Sequence, residues 1–339
     1  ILGVVLCIAP VSIRNLAVEG EWVTISSHGG INFFIGNNPT SDGHTAAAPM
    51  KIQYGEHYED NVLISAKQIA ESAEGRALSG SEISRFWYRE SYRYILSNPL
   101  DWLKLIAKKL VLSVNATEIT NYRDMLFFAK TAAPVLNLLF NSTLFIIPLG
   151  VTGMVIAWPK RKEWGALYAL CWATLAVLLI FFVTARYRVI MMPALLIFTG
   201  LSLFAMERWL RNRKFTPLGI SILSVAALLA VGQLNIDGIK DLKPEGSLNL
   251  IGKLYIKKGN LKEAEAYISK ALEINPDLED PYGDAWVNLG RLRFHLGNYD
   301  EALTAYETAL KRNPSSQEIQ QETELVRKKI HEPAQTKTD

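Results

Sequence analysis

Four long runs of this 339-residue chain carry no charged side chain: residues 134–158, 164–185, 189–206 and 215–236. Each is near or above the ~18–20 residues that cross the hydrocarbon core of a bilayer as a helix. Backbone polar groups in lipid must satisfy one another, and a helix does so within one segment. The runs predict four transmembrane helices over 134–236 and an all-α, polytopic membrane protein. A fifth apolar run, Ile1–Ile13, is too short to span. It lacks the basic flank and small-residue cleavage site of a signal peptide, and reads as the end of a transmembrane helix truncated at residue 1.

The charges are as unevenly placed as the apolar residues. The net charge is only +3, too weak to point to nucleic acid. Residues 14–133 hold 12 basic and 13 acidic side chains, 134–236 hold 9 and 2, and 237–339 hold 15 and 18. Lys160, Arg161 and Lys162 fill one short loop, and Arg208, Arg211, Arg213 and Lys214 another. These loops lie two spans apart, so they share a side, which the positive-inside rule makes cytoplasmic. Segment 14–133 and the C-terminal tail then face outward. Arg186 and Arg188 also fall on the outward side, against the bias. Two cysteines exclude a disulfide framework and a Cys-based zinc site. The five histidines show no metal-binding spacing, and no glycine-rich phosphate loop follows a strand.

The outward segment reads as a mixed loop domain. Short β-like runs, Trp22–Ser26 and Ile31–Ile35, sit among turn residues. The stretch from His28 through Gly29, Gly30, Asn32, Gly36, Asn37 and Asn38 to Pro39 is its most distinctive part. Glycines allow close backbone approach, and His28, Asn32, Asn37 and Asn38 offer neutral donors and acceptors suited to sugar hydroxyls or a phosphate. The same residues are also ordinary turn chemistry. Ser79 and Glu82 form a capping-box pattern opening a helix at about 81–97, whose Arg85, Arg89 and Arg93 read as a solvated row. Pro99 opens an amphipathic helix over 99–114, with Lys104, Lys108 and Lys109 at its centre, read as lying at the membrane interface. Were it a true span, the side of 14–98 would flip. Glu118 and Asn121 are weaker candidates for contact with an acceptor or a metal, as is Asp42 beside the turn for a polar contact.

Two C-terminal segments match at an offset of 38 residues. The first carries Leu248, Gly252, Tyr255, Gly259-Asn260, Ala264, Ala271 and Pro276. The second carries Trp286, Gly290, Gly297-Asn298, Ala302, Tyr306, Ala309 and Pro314. The pattern resembles the tetratricopeptide repeat (TPR), a 34-residue helix pair whose small residues let two helices pack closely. The repeats run over about 245–278 and 283–316, the extra residues falling in the linker Asp277–Asp284. Arg293 departs from the pattern where the first repeat has Tyr255. Gln317–Ile330 reads as a polar capping helix. Such a module, over 237–339, binds a protein or peptide.

Taken together, residues 1–210 resemble the C-terminal part of a bacterial membrane glycosyltransferase of the protein mannosyltransferase / aminoarabinose transferase type (GT-C superfamily, family 39-like). Three stretches carry the resemblance: Arg14-Asn15 with Ser27–Pro39; Asn98-Pro99, Trp102 and Lys108-Lys109 running into Glu118, Ile119 and Asn121; and Ala185–Arg188 with Pro193. Some members carry C-terminal tetratricopeptide repeats. The resemblance implies a multi-pass protein of the bacterial inner membrane and a polyprenyl-phosphate-linked sugar donor on the outward face. The family's catalytic carboxylate lies in the first outward loop, which would precede residue 1, and a divalent metal would belong to that longer enzyme; no cofactor is read from these residues. Arg186 and Arg188 could then grip the lipid phosphate, with Tyr187 bonding the same oxygens; plain head-group anchoring is the rival role. The rival functions are a non-catalytic, membrane-anchored TPR scaffold and an oligosaccharide ligase.

Overall fold

The computed structural model describes residues 2–20, 23, 25–45, 58–119, 127, 142–236, 238–239, 244–278, 284–312, 314 and 316–331. Among them every regular element is helical. The chain forms two compact units. The first comprises residues 1–49, 66–121 and 129–241, so most of the segment 14–133 falls in one unit with the apolar helices. The second comprises 50–65, 122–128 and 242–339.

The first unit opens with α1 (Leu2–Glu19), which runs past the expected end of the apolar run at residue 13. Next comes α2 (Gly29–Gly36), where the β-like run Ile31–Ile35 was expected. A lone strand there would leave its backbone unpaired, whereas a helix bonds within itself. Two glycines let α2 sit deep. A Cβ on Gly30 would come 1.9 Å from the Ser84 carbonyl oxygen, and one on Gly36 would come 2.0 Å from that of Phe181. Of α3 (Tyr58–Glu74), Ala66 and Ala70 are fully buried. The Trp87 indole in α4 (Gly80–Ser97) donates to the Ala66 carbonyl. Ser79 caps α4 with the reciprocal Glu82 contact that the sequence pattern predicts. Helix α5 (Pro99–Ser113) follows directly.

The apolar bundle consists of α6 (Ser142–Ala157), α7 (Gly165–Ile180), the short α8 (Ala185–Arg188) leading through a 3₁₀ turn into α9 (Met192–Arg211), and α10 (Phe215–Gly232). Backbones of α6 and α9 approach closely at glycine. A Cβ on Gly153 would lie 1.9 Å from the Phe198 carbonyl oxygen, and Gly150 packs against Leu195. Such small-residue crossings are how helices associate when apolar burial does not distinguish protein from lipid. Ile147, Leu178, Ala194, Leu195 and Phe198 form the inner core. Phe145, Val155, Phe204, Ile220 and Leu223 face outward, all more than half exposed, an apolar surface larger than water-facing bundles carry.

Three helical segments are long and apolar enough to cross a membrane: Thr143–Lys160, Ala185–Arg211 and Phe215–Gly232. The expected fourth, over 164–185, is not: α7 has only 16 residues. The chain leaves the helix at Phe181, and the Val183 and Ala185 amides bond the Gly43 and Ile119 carbonyls instead, at 2.9 and 2.8 Å. The start of the run 134–158 lies outside the described residues.

Among the described residues the second unit contains, besides residues 58–65 of α3, two helix pairs and a further helix: α11 (Pro244–Lys257) with α12 (Leu261–Ile274), α13 (Ala285–His295) with α14 (Tyr299–Arg312), and α15 (Gln317–His331). The tight turns need Gly259 and Gly297, both at positive φ near 80°. Gly252 and Gly290 lie under Ile268 and the Tyr306 ring, where a Cβ would come within 2.3 and 2.8 Å. Ala264, Ala271, Ala302 and Ala309 are fully buried across each pair. Tyr255 stacks on Tyr267 in the first pair. At the equivalent place Arg293 pairs instead with Glu265, at 2.7 Å, and with Glu301. Helix α15 covers α14 with Ile319, Thr323 and Val326, and its Glu318 and Glu322 pair with Arg291 of α13, each at 2.6 Å.

Candidate functional site

The stretches that carry the glycosyltransferase resemblance meet at one end of α7. Its last carbonyls are helix-terminal orphans needing outside donors. Lys109 of α5 donates to Leu179 O at 3.1 Å, and Asn37 Nδ2 to Ile180 O at 2.7 Å. Lys109 also reaches Gly36 O at 2.8 Å, at the end of α2. Asn37 Oδ1 accepts from Trp102 Nε1 at 3.0 Å. One lysine and one asparagine thus tie α2, α5 and α7 together. Lys109 is 0% exposed, and burial pushes its ammonium down to about 7. The sequence sets Lys104 and Lys108 on the polar face and Lys109 only at the helix centre. Its signal was positional: it falls four residues after Leu105 and three before Leu112, both buried, so all three share one face.

A second knot holds segment 115–118. Arg188 is 1% exposed and donates to the Asn115 and Thr117 carbonyls. It pairs with Glu118 at 3.4 Å. Asn115 Nδ2 reaches Leu234 O just beyond α10, and the Ala116 amide reaches Gly232 O, both at 2.9 Å. Thr143 Oγ1 of α6 donates to Ala116 O. Arg188 Nε and Thr184 Oγ1 are buried without a hydrogen-bond partner among the described residues.

The expected pair of arginines is therefore split. Arg188 is turned inward, its fork engaged by protein. Arg186 is exposed, its guanidinium 5.0 Å from the Tyr187 ring centre and its Nη2 3.0 Å from the Tyr187 hydroxyl. Neither arginine lines the apolar cavity of about 460 Å³ among α5, α6, α7 and α9, whose walls include Ile147, Met154, Tyr168 and Met191. The loop candidates divide likewise. Asn37 and Asn38 are buried, at 1% and 2% exposure, with Asn38 bonding the Phe34 and Ile35 carbonyls. His28 and Asn32 are exposed. Asp42 accepts from the His44 and Thr45 amides. Asn121 lies outside the described residues. No group of three His, Cys, Asp or Glu among the described residues could hold a metal. With Glu118 committed to Arg188, these residues do not fit a divalent ion.

No curated protein and no solved structure matches the chain. A family model does match its C-terminal part: residues 245–315, spanning α11 to α14, are similar to the tetratricopeptide repeat.

Proposed function

We propose that the protein works as a membrane glycosyltransferase that takes sugar from a polyprenyl phosphate, with its tetratricopeptide module recruiting a protein or peptide. The module's part rests on the family match, since such repeats bind proteins. The sugar-transfer part goes further. One observation carries it: of the three stretches that resemble the same enzyme family, the second bonds the first through Lys109 and the third through Arg188. Those residues build the junction and keep it dry. Arg186 is the group left at its surface.

Tyr187 holds the Arg186 guanidinium by ring contact and hydrogen bond. A guanidinium has five donors, and the rest of this fork suits a phosphate. Negative charge grows on the phosphate as the sugar leaves, so a fixed cation there favours departure. The apolar cavity is of a size and character to take isoprenoid units.

The test is binding of farnesyl phosphate to the chain in detergent. Arg186→Ala should weaken it about tenfold or more, while farnesol binding stays unchanged. Sugar transfer by the protein in membranes should fall with the same variant. Unaltered farnesyl phosphate binding would remove Arg186 from the site.

A further inference from the structure

Four arginines stand along α4 or just before it, and three are neutralised. Arg76 pairs with Glu82 at 2.6 Å, Arg89 with Glu74 at 2.5 Å, and Arg93 with Glu90 at 2.6 Å. Arg85 has no carboxylate partner among the described residues and is exposed. It borders a cleft of about 320 Å³ between the start of α2 and the start of α4. The cleft is lined with hydroxyls: Ser26, Ser27, Ser81, Ser84 and Tyr88. Val23 and Ile25 form an apolar wall.

The cleft is prebuilt. Ser84 Oγ accepts from the Gly30 amide at 2.9 Å, so α2 and α4 are fastened at its floor. A Cβ on Gly29 would come 2.8 Å from the Tyr88 hydroxyl, and only glycine leaves that hydroxyl its place. Its volume lies at the small end of ligand sites, on the scale of one sugar ring. An unpaired guanidinium asks for an anion. Ser26, Ser81 and Ser84 already hold one internal hydrogen bond each, and the capacity left on the five hydroxyls suits a ligand rich in donors and acceptors. An aromatic ring and two aliphatic side chains suit the C–H face of a pyranose.

The geometry points to a binding site for a single sugar carrying one acid group, phosphate or carboxylate, at Arg85 in the cleft between α2 and α4. Its acid oxygens meet the Arg85 fork and its hydroxyls meet the serines. The site shares no residue with the Arg186 site, so each stands or falls alone.

The experiment titrates glucose 6-phosphate, glucuronate and glucose into the whole chain in detergent, read by saturation-transfer NMR, with inorganic phosphate added as a competitor of the bound sugar acid. Both sugar acids should bind saturably, with glucose and phosphate about tenfold weaker or more. Arg85→Gln should weaken the sugar acids about tenfold or more, Arg85→Lys less, and Arg93→Gln within about twofold. An unchanged melting temperature for Arg85→Gln shows that the fold survives. Equal binding by Arg85→Gln, binding of phosphate alone as tight as of the sugar acids, or no binding at all would each overturn the site. Farnesyl phosphate binding should be unaffected by Arg85→Gln, which separates this site from the lipid-phosphate reading.

Discussion

Replacing Lys109 with Met sets two physical effects against each other. Removing a buried charge in favour of an apolar side chain relieves desolvation, and such swaps are sometimes stabilising. Here, however, the ammonium serves carbonyls at the ends of two helices, Gly36 O at 2.8 Å and Leu179 O at 3.1 Å. Gly36 O would keep the Ser41 hydroxyl at 3.0 Å, but Leu179 O would be left buried without its donor. An unsatisfied buried acceptor costs about 1–3 kcal/mol, and a cation at a helix C-terminus contributes up to ~2 kcal/mol. Against this, Met gains about 1–2 kcal/mol of burial and relief. The net expectation is a loss of about 1–2 kcal/mol. Thermal melting followed by tryptophan fluorescence in detergent should then fall by about 2–8 °C. A melting temperature equal to or above wild type would refute the claim that the carbonyl contacts outweigh desolvation. The pH dependence gives a second reading. Burial lowers the folded pKa to about 7 from an ordinary 10.5. Between those values the unfolded chain holds the proton and the folded chain does not, so stability rises with pH, by up to about 1.4 kcal/mol per unit. Below about 7 both states hold it and the slope vanishes. Lys109→Met should abolish the rise, and a flat wild-type profile would mean that the carbonyls keep the amine charged.

Arg188→Ala should cost about 3–5 kcal/mol, since it strands Glu118 and two carbonyls; the measurement is melting of the purified chain, and a loss under about 1 kcal/mol would show the knot to be dispensable. Gly290→Ala should lower the stability of the tetratricopeptide unit by about 1–3 kcal/mol, because its Cβ would press on the Tyr306 ring. Loss of helix circular dichroism on heating would report it, and a neutral result would mean that Tyr306 can move aside.

Periodic and local signals were legible. The offset of 38 residues located both helix pairs, and the small residues at Gly252 and Gly290 were readable because each sits under a side chain of its own repeat. Ser79 and Glu82 announced α4 through contacts three residues apart. Helix α2 was not legible. The alternation Ile31, Phe33, Ile35 suits a strand on one face, and those residues are buried in a helix enclosed on several sides. The length of α7 was missed because apolar composition continues through Phe181–Thr184, while the backbone there bonds Gly43 and Ile119, far away in sequence.

By itself the sequence determined the helical class, the apolar blocks and the tetratricopeptide module, because hydrophobic period, charge and caps act over a few residues. It singled out Arg186 and Arg188 together as cations against the charge bias. Only the tertiary structure separated them, placing Arg188 among the Asn115 and Thr117 carbonyls and Glu118 while Arg186 stays outside on Tyr187. It likewise left Arg85 alone among paired arginines. Which of several equal charges is buried, paired or free depends on partners distant in sequence, and desolvation makes that choice matter.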